Sequence, residues 1–337
     1  MAMSEFEIIR RNFDGRGIDR SDVVLGIGDD GAVVRVPSNC DLVTVVDTLV
    51  AGVHFPHDTR PEDVGHKALA VNLSDVAAMG AVPAWATLAL TLPHADEAWL
   101  SAFARGFFGL AQQYEVQLVG GDTTHGPLTV TVQIQGWVRT GRAVRRSGAR
   151  PGDVIYLTGS VGDAGLALRA WQQQQELSAA DGEHLFSRLH RPIPRCKEGE
   201  ALSCEVTAMV DVSDGLAADL GHILEASGVG ATLNLHSIPL SPSFVAVTGS
   251  GKYYLNEAER LRLALSAGDD YELCFTAPAA QCRRVEELFS NFECGCRAIG
   301  IIETAPGLRL KQADGTLLSL ERTGYEHFAQ EPGNAGT

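Results

Sequence analysis

The chain has 337 residues, of which 42 are acidic and 27 are basic, so its formal net charge at pH 7 is −15. This length predicts two domains, since domains commonly hold about 100–200 residues each, and it allows a buried core without disulfide bonds. General binding to nucleic acid or to anionic lipid is disfavoured, because both need a basic surface. The surplus carboxylates either form a solvated surface or converge in part on bound cations.

The seven cysteines are odd in number and scattered along the chain. The start of the chain lacks a basic segment followed by an apolar one. Together these features predict reduced thiols in a cytoplasmic protein without a secretory signal. The longest uncharged stretch, residues 76–92, contains Gly80 and Pro83. It therefore predicts a turn between a buried helix and a strand, and not a membrane span.

Strands and helices are predicted to alternate through the first half. Apolar and β-branched runs predict strands over residues 41–46, 85–92, 116–119 and 128–138. Apolar residues at helical spacing predict helices over 60–78 and 95–114, and Pro61 suits the first turn of the former. A turn-rich stretch at 147–153 indicates that a first domain spans residues 1–148.

The second half has a similar pattern. Strands are predicted over 154–158, 208–212 and 271–276, and helices over 165–175, 216–227 and 283–289. We expect a second domain at 149–330 and a disordered tail at 331–337, where glycine and proline occur without an apolar face. The predicted fold class is α/β, with α+β character, in two domains.

Acidic residues recur at the ends of the predicted elements. In four places an apolar strand stops and acids follow beside glycine or a hydroxyl: 26–31, 45–48, 120–124 and 211–215. A fifth stretch, 72–75, lies in a helix, and a sixth, 266–271, precedes a strand. Each alone is ordinary turn chemistry. Together they predict a site for magnesium and nucleotide phosphates, because ligands collect where strands end and hard cations prefer oxygen ligands.

Three motifs resemble those of the thiamine-monophosphate kinase family, in the aminoimidazole-ribonucleotide synthetase superfamily. They are DTLVAGVHF at 47–55, NLSDVAAMGA at 72–81 and DDYEL at 269–273. The similarity runs from about Glu5 to Phe328. It implies direct, in-line transfer of the ATP γ-phosphoryl group to thiamine monophosphate, as the final step of thiamine diphosphate biosynthesis. It also implies two α/β domains, with the N-terminal domain forming a β-barrel across a homodimer.

The resemblance also implies roles for individual residues. Several Mg²⁺ ions would be held by Asp30, Asp47, Asp75, Asp122, Asp211 and Asp214. ATP would contact Gly121, Asp122, Arg146 and Ser213. Thiamine monophosphate would contact His54, Asp269 and Tyr325. Asp75, Asp122 and Arg146 are the residues expected to be catalytic.

Two alternatives remain open at this point. The first is another ATP-using enzyme of the superfamily, of the selenophosphate or aminoimidazole-ribonucleotide synthetase type. The second is a non-catalytic nucleotide-binding scaffold of the hydrogenase maturation type. A reactive N-terminal cysteine in a glycine-rich stretch would favour selenophosphate synthetase, and a C-terminal cysteine tail would favour the maturation protein. The sequence has neither feature.

Overall fold

The structure is a computed structural model, and it describes residues 5–320 and 323–325. The tail predicted to be disordered, 331–337, lies outside the described residues. The elements of the first half are α1 (Glu5–Asn12), β1 (Val23–Leu25), β2 (Val33–Val34), β3 (Cys40–Val50), α2 (Pro61–Ala78), β4 (Val82–Leu92), α3 (Glu97–Gln113), β5 (Gln117–His125) and β6 (Thr129–Arg139).

A four-stranded sheet forms the centre of the first half. Its order is β3-β6-β4-β5, with β4 and β5 parallel and the other neighbours antiparallel. Because side chains alternate between the faces of a sheet, one face holds Val130, Val132 and Ile134, which are buried against α2. The opposite face carries Leu42 and Val46, which are 48% and 57% exposed. The same face carries Trp85, which is fully buried with Val23 of β1 and Val34 of β2 packed against its cluster, so the described chain covers this face in part.

The second half is built on a larger sheet. Its elements are β7 (Val154–Thr158), α4 (Asp163–Gln172), α5 (Ala179–His190), α6 (Cys196–Leu202), β8 (Ala208–Asp211), α7 (Leu216–Ser227), β9 (Gly230–Asn234), α8 (Pro242–Gly249), α9 (Glu257–Ser266), β10 (Leu273–Ala277), α10 (Cys282–Phe289), β11 (Cys296–Glu303) and β12 (Gly307–Lys311). The strand order is β12-β9-β11-β7-β10-β8, and within it β12 and β9 are the parallel neighbours. The mixed α/β prediction is confirmed, and the mainly antiparallel pairing gives it α+β character.

Helix α2 connects the two halves. It packs on β3 and β6 of the first sheet and also on α6 and β8 of the second half. One apolar cluster accordingly includes Leu73 and Val76 of α2 together with Met209 and Phe275. Residues 140–153, between β6 and β7, contain neither helix nor strand. The predicted domain boundary at residue 148 falls in this segment and stays a prediction.

Two strands are longer than predicted. β3 continues through Asp47 to Val50 because it pairs with β6 along its whole length. β5 continues past Val119 to His125, so that Asp122 lies inside a strand. The prediction that both strands end before their acids was wrong, since pairing with a neighbouring strand carries each strand past its acid.

The uncharged stretch at 76–92 has the predicted form. Helix α2 ends at Ala78, and β4 begins at Val82. Gly80 between them has φ +65°, a left-handed conformation that glycine adopts without strain. No helix in the described part of the chain combines the length and the apolar character needed to span a membrane.

Candidate active site

A cleft of about 580 Å³ lies at the junction of the two halves, and we call it the main cleft. β3 and the turn after it form one wall, α2 lies beside them, and loops of the second half form the other wall. The polar residues that line it are Asp47, Thr48, His54, Asp75, Asp211, Ser213, Asp214, Asp269, Tyr271 and Tyr325. The chain thus brings four of the six predicted magnesium ligands and all three predicted substrate contacts to one place.

Three carboxylates converge at the bottom of the main cleft from three different elements. Asp47 lies on β3, Asp75 in the last turn of α2 and Asp211 at the end of β8. They meet because α2 packs against both strands. The hydroxyl of Ser74 donates a hydrogen bond of 2.7 Å to Asp211 and fixes its side chain.

The three acids interfere with one another's ionisation. Burial, with the charges of Asp211 and Asp47, raises the pKa of Asp75 to about 8. Burial and the charge of Asp47 raise the pKa of Asp211 to about 6, although Ser74 opposes the shift. Burial also raises the pKa of Asp47, which shares a hydrogen bond with Asp75. The cluster cannot hold all its negative charge at neutral pH without a cation nearby.

This donor set fits a divalent cation of the magnesium type, which binds carboxylate oxygens. Among the described residues, however, the side chains are not yet close enough to form a metal site: no three His, Cys, Asp or Glu residues are arranged around one point. Arg146 partly offsets the raised pKa values of Asp75 and Asp211, and it lines a small adjoining cavity with both of them. It lies in the segment between β6 and β7, at the edge of the acidic cluster.

The other predicted ligands line a second cleft of about 500 Å³. Asp30 comes from the loop after β1, and Gly121 and Asp122 come from β5. A Cβ at Gly121 would lie 1.9 Å from the carbonyl oxygen of Leu88, so only glycine fits this approach of β5 to β4. The apolar walls of this cleft include Phe13.

The strand register separates the two clefts. Asp47 pairs with Val132, Val132 with Leu88, and Leu88 with Gly121. Asp47 and Gly121 are therefore three strand spacings apart, roughly 14 Å. Within one chain, Asp30 and Asp122 are not brought together with the carboxylates of the main cleft.

The three predicted substrate contacts line the main cleft together with the carboxylates. The backbone N–H of Val50 donates a hydrogen bond of 3.0 Å to His54 Nδ1. A neutral His54 therefore carries its proton on Nε2. Tyr325 lines the same cleft, and its backbone N–H donates to the carbonyl of Asp214.

Asp269 is held by two donors that sequence reasoning missed as site residues. The Tyr271 hydroxyl and Lys67 Nζ each lie 3.0 Å from Asp269 Oδ1. Both Asp269 and Tyr271 have positive φ, +61° and +51°, which costs roughly 1–3 kcal/mol each. The lone lysine in the apolar stretch of α2 was the available sequence signal for Lys67.

A buried ionic cluster holds this strained loop in place. Arg188 and Arg195 donate to the Glu272 carboxylate at distances between 2.6 and 2.8 Å, and Thr158 donates at 2.7 Å. Burial by itself would raise the pKa of Glu272. The positive charges of Arg195 and Arg188 have the larger effect, so the pKa of Glu272 lies below its usual value. Arg188 also donates to the carbonyl of Asp270. The cluster thus anchors the backbone on both sides of Tyr271.

Sequence reasoning also missed Asp219 of α7, which lies behind the acidic cluster. It is 2% exposed and accepts hydrogen bonds from the backbone N–H groups of Asp214 and Gly215. Burial, with the charges of Asp211 and Asp214, raises its pKa to about 8. It orders the turn that presents Asp214 to the main cleft.

Two family models match most of the chain. Residues 28–138 match the N-terminal domain of AIR synthase related proteins, and residues 150–312 match the C-terminal domain of the same proteins. The thiamine-monophosphate kinase of Salmonella typhimurium is 45% identical over 331 residues, covering 98% of this chain and 99% of the relative.

Solved structures agree with these matches. The thiamine-monophosphate kinase of Stenotrophomonas maltophilia is 47% identical, with a TM-score of 0.81, covering 88% of this chain and 92% of that one. The complex of AaThiL with AMPPCP and TMP is 32% identical, with a TM-score of 0.77, covering 90% and 92% of the two chains. These likenesses extend over both halves of the fold and include a structure with an ATP analogue and a substrate bound.

Proposed function

The chain belongs to the AIR synthase related protein family and, within it, to the thiamine-monophosphate kinases, and on this premise we propose that it transfers the ATP γ-phosphoryl group to thiamine monophosphate, giving thiamine diphosphate. The observation that carries this proposal is 45% identity to a thiamine-monophosphate kinase over 98% of the chain. The main cleft supports it, because a buried carboxylate cluster lies beside His54, Asp269 and Tyr325 in one cavity.

We propose that Asp47, Asp75, Asp211 and Asp214 hold magnesium in the main cleft, with Asp30 and Asp122 as further ligands. Magnesium would supply neutralisation of the charge on the two phosphate-bearing substrates. The chain's own residues bind and orient the reactants. Arg146 can pair with two phosphate oxygens at once through its planar guanidinium. Gly121 and Ser213 complete the proposed ATP contacts.

The acceptor needs little chemical activation. A phosphate monoester has a second pKa of about 6, so its attacking oxygen is already deprotonated at neutral pH. The chain therefore needs no strong general base, and positioning carries most of the remaining work. His54, with its proton on Nε2, is suited to donate to a phosphate oxygen.

We propose that two copies of the chain pair through the edges of the first sheet and the exposed part of the face that points away from α2. That face carries the exposed Leu42 and Val46. Exposed apolar side chains on one sheet face are typical of a surface that a second molecule covers.

The pairing has a consequence for the two separated clefts. β3 and β5 are the edges of the four-stranded sheet. If two such sheets close into one barrel about a two-fold axis, β5 of one copy lies beside β3 of the other. Adjacent strands are about 4.8 Å apart. Closure therefore moves Asp122 of the partner subunit close to the strand that carries Asp47, and the site is shared between protomers.

Mixed dimers test this arrangement. Asp75→Asn and Asp122→Asn homodimers are each expected to be inactive. After co-refolding in equal amounts, half of the dimers are mixed and each has one intact site of two, so activity returns to about a quarter of wild type. Steady-state turnover measures the returned activity, and light scattering checks that the refolded protein is dimeric. If each site uses one chain only, every site in a mixed dimer carries a substitution, and no activity returns.

Release of ADP tests the function itself. When thiamine monophosphate is added to wild-type protein with ATP and magnesium, we expect release of ADP. We also expect formation of thiamine diphosphate, which chromatography detects. Turnover with thiamine alone would indicate a different kinase. Turnover with neither compound would contradict the proposal and favour a nucleotide-binding scaffold or another synthetase of the superfamily.

A further inference from the structure

We propose that Lys67 is a positioning residue for the part of the main cleft that binds thiamine monophosphate, acting through the carboxylate of Asp269. This inference rests on the proposed function. Lys67 lies on α2 and is 2% exposed. Lysine is seldom fully buried unless its ammonium group is paired. Its position inside the protein therefore calls for an explanation.

The contacts of Lys67 point to the cleft. Its Nζ lies 3.0 Å from Asp269 Oδ1 and donates a hydrogen bond of 3.3 Å to the carbonyl oxygen of His54. Asp269 and His54 both line the main cleft, and they come from opposite halves of the chain. One ammonium group thus connects the two walls of the cleft at the residues proposed to contact the substrate.

The loop around Asp269 does not depend on Lys67 for its backbone conformation. The N–H groups of Asp269 and Tyr271 donate to the carbonyls of Ser213 and Val212. Arg188 holds the carbonyl of Asp270. Lys67 contacts only the side chain of Asp269 in this loop, so it acts on the orientation of that carboxylate.

The arrangement indicates what Asp269 recognises. Tyr271 and Lys67 both bind Oδ1, so Oδ2 has no protein partner among the described residues, and the side chain is 28% exposed. A carboxylate repels a phosphate group. Oδ2 is suited to a cationic ring or an N–H donor. We therefore assign Asp269 to the ring portion of thiamine monophosphate, and Lys67 to holding the carboxylate in position for it.

The test compares Lys67→Met with Lys197→Met, a matched change at an exposed lysine. Lys67→Met is expected to raise KM for thiamine monophosphate by about tenfold or more, because a charge-assisted contact is disturbed. KM for ATP and kcat are expected to stay within about threefold of wild type, since the proposed nucleotide contacts do not touch Lys67. Lys67→Arg, which keeps the charge, is expected to recover part of the affinity. Lys197→Met is expected to leave all three parameters unchanged.

A double-mutant cycle distinguishes positioning from a structural role. In an Asp269→Asn background, Lys67→Met is expected to change KM for thiamine monophosphate by less than about twofold, because the group through which Lys67 acts is already altered. The inference would be overturned if Lys67→Met raised KM for ATP as much as KM for thiamine monophosphate. It would also be overturned if Lys67→Met raised KM for thiamine monophosphate as much in the Asp269→Asn background as in wild type. If Lys67→Met does not fold, Lys67→Arg and the cycle built on it decide the same question. Absence of wild-type turnover would contradict the proposed function itself.

Discussion

Replacing Asp75 by asparagine is expected to abolish turnover and, at the same time, to raise the melting temperature of the metal-free protein. Asp75 has its pKa raised to about 8 by burial and by the charges of Asp211 and Asp47. An acid with a raised pKa in the folded state weakens folding as the pH rises above its unfolded value, so the penalty is present at neutral pH. A neutral amide of the same shape removes it. The lost ligand should lower kcat by about 100-fold or more.

Thermal unfolding with and without magnesium plus AMPPCP measures both parts of this prediction. Wild type is expected to gain melting temperature with magnesium and the analogue, because ligands that bind only the folded state stabilise it. The Asp75→Asn variant is expected to have a higher melting temperature than wild type without ligands, and magnesium with AMPPCP should raise that temperature only slightly. Asp14→Asn, at an exposed acid, serves as the control and should behave as wild type. A variant that melts lower without metal and still responds to magnesium would show that Asp75 is a structural residue.

Replacing Glu272 by glutamine is expected to produce the largest loss of stability. Glu272 is 1% exposed and lies between Arg188 and Arg195. Removing its charge leaves two cations unpaired in the interior, which costs about 3–5 kcal/mol. For a domain of this size that corresponds to a fall in melting temperature of about 10 °C. Because the pKa of Glu272 is lowered, its contribution is present at neutral pH and is lost as the pH falls through the lowered value.

Denaturant unfolding at several pH values measures this effect. The variant is expected to be less stable than wild type at pH 7 and to lose less further stability in acid. Glu287→Gln removes an exposed i,i+4 pair with Arg283 and is the matched control. Exposed i,i+4 pairs contribute about 0.3–0.5 kcal/mol, so Glu287→Gln should change the free energy of unfolding only slightly. Equal unfolding free energies for wild type and Glu272→Gln at pH 7 would contradict the prediction.

Much of the site was visible along the chain. The DTLVAGVHF and NLSDVAAMGA stretches singled out Asp47 and Asp75, which line one cleft, because short motifs carry their glycines and carboxylates in a fixed local order. Residues in one motif also share one element, so Asp75 was correctly placed in a helix. The predicted strands were less accurate at their ends. β3 and β5 run on through Asp47 and Asp122 because pairing with a neighbouring strand, and not the local pattern, decides where a strand stops.

The sequence by itself determined the mixed α/β class, the order of most elements and the set of candidate site residues. Only the tertiary structure decided which of those residues meet. It joined Asp47, Asp75 and Asp211 through the packing of α2, and it left Asp122 three strands away across the sheet. It also placed Lys67 against Asp269, 202 residues apart in number. Such contacts depend on strand register and helix packing over long separations, which local sequence patterns do not encode.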